Sequence, residues 1–83
     1  MIIYGDYVYR WDCVSFAIDV REKREAAGLT QGELAAQVNG YSHYYINRIE
    51  SGVYESNISL RDYVKLCNIL NLEPMRYFDT EPA

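Results

Sequence analysis

The 83 residues make one domain at most, and a chain this short buries only about 60% of its unfolded surface, so its apolar residues must share one core. Two cysteines without CxxC spacing, Cys13 and Cys67, and a single histidine, His43, are too few for a structural zinc site, and the thiols read as reduced and buried. The net charge of −4 excludes a strongly basic surface, although between Val20 and Phe78 the seven basic and seven acidic side chains balance and the acidic surplus lies nearer the ends.

Residues 1–11, MIIYGDYVYRW, set Ile3, Tyr7, Tyr9 and Trp11 against Asp6 and Arg10, the alternation of an extended arm or short strand. A lone strand is unstable, so this arm is expected to dock on its own domain or on a partner. It has neither a basic leader nor a long apolar run, so it reads as neither export signal nor membrane span, and a cytoplasmic protein is expected.

Asp12 is a good N-cap for a first helix reaching about Ala27, with Phe16, Val20 and Ala27 on one face, Ala17 and Arg24 beside them, and Gly28 as its stop. Thr30-Gln31-Gly32-Glu33 forms a capping box that opens a second helix through Leu34, Ala35 and Val38. Asn39-Gly40 signals a turn, and Ser42 caps a third helix carrying Tyr45, Ile46 and Ile49, closed by Ser51-Gly52. After a polar loop at 53–57, Ser59 caps a fourth helix whose Leu60, Tyr63, Leu66, Cys67 and Leu70 form an apolar face. Asn71 suits a left-handed stop, and Pro74 starts one last turn through Met75, Tyr77 and Phe78. The predicted fold is all-α, a compact five-helix domain over 12–79 with an extended arm at 1–11 and a tail at 80–83.

Two short helices joined by a tight turn, the second capped and amphipathic, are a helix-turn-helix, here at about 30–51. Three features occur in order: Gly28-Leu29-Thr30-Gln31, Leu34-Ala35, and Ile46-x-x-Ile49-Glu50-x-Gly52. With them, the stretch from Val20 to Phe78 resembles the Cro/C1-type (XRE-like) helix-turn-helix family of phage and bacterial transcriptional regulators. One feature departs from that pattern: Val38-Asn39-Gly40-Tyr41-Ser42 carries one residue more between the second and third helices than the family usually has. The extra residue either tilts the third helix or widens the turn.

The resemblance implies a lambda-repressor-like fold and a third helix, 42–51, lying in the major groove of DNA. His43, Tyr44, Asn47 and Arg48 would then face base edges. Their chemistry suits this, since arginine grips guanine and asparagine pairs with adenine, while protonated histidine would add a charge. Gln31 falls where family members touch a phosphate, and the free N–H groups of a helix start favour an anion there. Ser42, Arg21, Tyr54, Asn57 and Arg61 are further candidate phosphate contacts; the loop around Tyr54 and Asn57 offers hydroxyl and amide donors, but its only charge is Glu55. The resemblance also pairs Arg24 with Glu50 in a partly buried, structural salt bridge.

The expected function is a sequence-specific regulator, a dimeric repressor on a double-stranded operator, of the kind small phage or prophage genomes carry. The alternative is a protein-binding module of the same fold, antirepressor or antitoxin-like, favoured by the acidic balance and the Tyr44-Tyr45 pair. No catalytic set can be built around one histidine, and 83 residues leave no room for a second, pocketed domain. Neither enzyme activity, cofactor, metal nor small-molecule ligand is expected.

Overall fold

A computed structural model describes residues 2–4, 7–40, 42–52 and 58–82, with the backbone alone for 2–4, 7–10 and 79–82. Strands β1 (Ile2–Tyr4) and β2 (Tyr7–Trp11) are followed by helices α1 (Cys13–Ala26), α2 (Gln31–Val38), α3 (His43–Glu50) and α4 (Leu60–Leu70). A 3-10 turn (Pro74–Tyr77) and strand β3 (Phe78–Pro82) close the chain. The five helical elements form the predicted all-α core.

Local chemistry sets the helix ends. The Asp12 carboxylate accepts from the Ser15 amide at 3.0 Å and its hydroxyl at 2.6 Å, bonds that hold its pKa below the ordinary value. Thr30 and Glu33 exchange both bonds of the capping box, at 3.0 and 2.9 Å. Thr30→Ala removes one of them and is expected to destabilise the domain by about 1 kcal/mol, read as a lower midpoint in urea unfolding. Ser59 accepts from the Asp62 amide, and Asn71 ends α4 at φ 56°, a left-handed conformation that asparagine tolerates.

The core joins Phe16 and Val20 of α1, Leu34, Ala35 and Val38 of α2, Ile46 and Ile49 of α3, and Tyr63, Leu66, Cys67 and Leu70 of α4. Three expectations change here. Ala27 is exposed because α1 ends before it. Leu60 is 77% exposed: helical side chains lean toward the N-terminus, so at the first position of α4 it projects past the end of the core. Asp62, about 200° round the helix from Leu60, is buried at the other edge of the apolar face. Of the two thiols, both free, Cys67 is buried but Cys13 only half-buried, against the Gly52 carbonyl.

The N-terminal arm is a hairpin, and the residues expected to trail as a tail supply its third strand. β2 lies between β1 and β3, antiparallel to both, with Trp11 opposite Phe78 and Tyr7 opposite Pro82. Phe78 therefore leaves the last helical turn. The proline is tolerated because β3 is an edge strand. Aromatic contacts fasten the sheet to the helices: Trp11 stacks on Phe78 with centroids 6.4 Å apart and meets Phe16 at 6.0 Å, and Phe16 packs on Tyr63 and Tyr77. The Asp12 amide donates to the Tyr77 carbonyl, and the Tyr77 hydroxyl donates to Asp19 at 2.6 Å. Burial, then that carboxylate, push the phenol's pKa up. Among the described residues, no helix is long and apolar enough to cross a membrane.

Candidate nucleic-acid interface

The pattern of α3 divides it sharply. Ile46 and Ile49 are buried against α2 and the core, which leaves His43, Tyr44, Asn47 and Arg48 exposed on the outer side. These positions, i, i+1, i+4 and i+5, make two adjacent stripes along one face. The His43 and Tyr44 rings lie 4.1 Å apart, and Tyr44 is 66% exposed, a large aromatic left in water. At the crossing of α2 and α3, a side chain on Gly32 would meet the His43 Cβ at 3.9 Å, so the starts of the two helices lie close together.

Ser42, expected to cap α3, occupies its N-cap position but does not form the capping bond with its side chain. Its exposed hydroxyl is thus not consumed by the helix and can donate elsewhere. In the turn before it, the Gly40 amide donates back to the Ala35 carbonyl, with φ +78° at Gly40.

Behind the outer face, α1, α2 and α3 enclose a polar cleft of about 220 Å³ lined by Arg21, Arg24, Gln31, Asn47, Glu50 and Ser51. Its floor is an ion pair. Arg24 Nε donates to Glu50 at 2.6 Å and a terminal nitrogen donates at 3.0 Å, a two-pronged geometry, while the other terminal nitrogen bonds the Leu29 carbonyl at 2.9 Å. The side chains are only 12% and 5% exposed. The Glu50 bond raises the Arg24 pKa above its ordinary value. Gln31, the expected phosphate contact, is half-buried, and its amide donates to Glu50 at 3.2 Å. An amide nitrogen carries two hydrogens, so one remains for an anion at the cleft mouth.

The other candidates are less closely grouped. Arg21 is exposed at the cleft edge and paired with Glu25 at 3.0 Å, one helical turn on. Arg61 is exposed in the first turn of α4. Tyr54 and Asn57 lie outside the described residues.

The fold and this cleft set the frame for comparison with known proteins. A helix-turn-helix family model matches residues 20–78, the stretch that spans the second half of α1, all of α2, α3 and α4, and the 3-10 turn. The chain belongs to the Cro/C1-type helix-turn-helix family. As a member it is a DNA-binding transcription regulator and not an enzyme. Among solved structures it is similar to the restriction-modification controller protein C.AhdI from Aeromonas hydrophila, at 38% identity and a TM-score of 0.61, over 76% of this chain and 91% of that one. No curated protein matches it.

Sequence reasoning missed Asp62 and Lys65, which lie behind the turn between α2 and α3 and read locally as ordinary solvated side chains, and it read Asn39 only as a turn signal, not as a donor to Asp62.

Proposed function

We propose that this regulator is a dimeric, sequence-specific repressor that reads the major groove with α3. The observation that carries the proposal is the division of α3: its inner face is buried, and its outer face presents His43, Tyr44, Asn47 and Arg48 together. Gln31 and Ser42, at the adjoining starts of α2 and α3, meet phosphates, and Arg21, Arg61, Tyr54 and Asn57 supply further phosphate contacts. One unit spans about 4 to 5 base pairs, so two units on half-sites one helical turn apart give useful specificity. Similarity to a restriction-modification controller supports a target beside genes of that class rather than the phage setting suggested by size.

The test is selection of bound sequences from a random DNA pool, followed by salt titration of the winning site. A palindrome with half-site centres about 10 base pairs apart is expected. Affinity should fall with salt at a log–log slope of about −0.9 per neutralised phosphate. With a balanced central charge the slope is expected to be shallow. Absence of binding to any DNA at about 50 mM salt, where phosphate contacts are strongest, overturns the proposal.

A further inference from the structure

We infer that Asp62, a buried carboxylate on α4, positions the reading helix and thereby sets which bases it recognises. The inference rests on the reading of α3 given above. Asp62 is only 8% exposed. A carboxylate in that environment is tolerated only when hydrogen-bonded. Its donors come from both sides of the turn that enters α3: Asn39 Nδ2 at 2.8 Å and the Tyr45 hydroxyl at 2.6 Å, both on Oδ2. One helical turn along α4, Lys65 Nζ donates to the Val38 carbonyl, at the C-terminus of α2, at 3.0 Å. α4 therefore grips the end of α2, the turn, and the first turn of α3.

The need for such a grip follows from the rest of the interface. Ile46, Ile49, Leu34 and Ala35 hold α3 on α2 by apolar contact, which is non-directional, and the directional bonds from Arg24 and Gln31 reach α3 only at its far end, at Glu50. The turn is one residue longer than the family pattern, and Gly40 within it has the loosest backbone of any residue type. Ser42 supplies no capping bond to fix the start of α3. Tyr45 lies in that first turn beside His43 and Tyr44, so its bond to Asp62 is a directional fastening close to the base-reading groups. Hydrogen bonds to base edges weaken steeply with misalignment, so a few degrees at α3 translate into sequence preference.

Tyr45→Phe removes the hydroxyl and keeps the ring; Asp62→Leu keeps about the same size and removes both acceptor oxygens. Each full-length variant is compared with the parent for affinity to the selected site divided by affinity to random DNA, alongside thermal unfolding. Each is expected to lower that ratio by about tenfold, comparable to one mismatched base pair, with random-DNA affinity unchanged. The double variant is expected to fall no further than the worse single one, because both remove the same bond. A lower melting temperature with an unchanged ratio, or fully additive losses, overturns the inference. If the parent binds no DNA, the functional reading fails by itself. Residual dipolar couplings of α3 amides relative to α2 then decide the positioning role: reorientation in Tyr45→Phe sustains it, and unchanged couplings overturn it.

Discussion

Replacing Glu50 by alanine is expected to destabilise the domain by about 3–5 kcal/mol, measured by urea unfolding, because it leaves the Arg24 guanidinium with only the exposed Glu25, 3.8 Å away and not hydrogen-bonded to it, as a counter-charge. That group is 12% exposed and faces Glu50 through two bonds, and the third, to the Leu29 carbonyl, holds it in place rather than letting it swing to water. The loss is a large fraction of the roughly 4–12 kcal/mol available to a chain of this size, so the variant should be substantially unfolded at growth temperature. Gln31 loses its acceptor as well. The prediction concerns an uncompensated charge, not the worth of the pair. Replacing both partners together, Arg24→Met with Glu50→Leu, is therefore expected to retain most of the stability that Glu50→Ala loses. Equal losses in the two variants would mean that the pair matters for its own attraction and not for the charge left behind.

What could be read from the sequence was what local chemistry decides. The caps at Asp12, Thr30, Ser59 and Asn71 work because an N-cap or a left-handed stop needs only a neighbour within a few residues, and the structure forms each of them. Ile46 and Ile49 could be placed inward, and His43, Tyr44, Asn47 and Arg48 outward, because helical period alone separates them. The sheet was not legible. Its second ladder joins residues 7–11 to 78–82, and the segment Phe78-Asp79-Thr80-Glu81-Pro82 is poor in strand-forming residues, so only the distant partner makes it a strand. Asp62 was missed for the same reason. An apolar-periodicity count favours Leu60, and the carboxylate is buried only because Asn39 and Tyr45 arrive from other elements with donors. Contacts with DNA lie one step further off, since they depend on a partner's surface.

Asn47→Ala combined with Arg48→Ala is expected to weaken binding to the selected operator by about 30- to 20,000-fold, taking about 1–3 kcal/mol for each base contact. Both side chains are exposed on α3, so unfolding free energy should change by no more than about 0.5 kcal/mol, which separates lost recognition from lost fold. Random-DNA affinity reports what kind of contact was removed. If Arg48 grips a base, the operator loses far more than random DNA and selection relaxes at one position of each half-site. If it met only phosphate, both would weaken alike and the salt slope would shrink by about one. The charge balance argues for a loss toward the upper end of the range. With seven basic and seven acidic side chains between Val20 and Phe78 and a net charge of −4, long-range attraction contributes little. Base contacts must then supply a larger share of operator affinity than they do on a strongly basic domain.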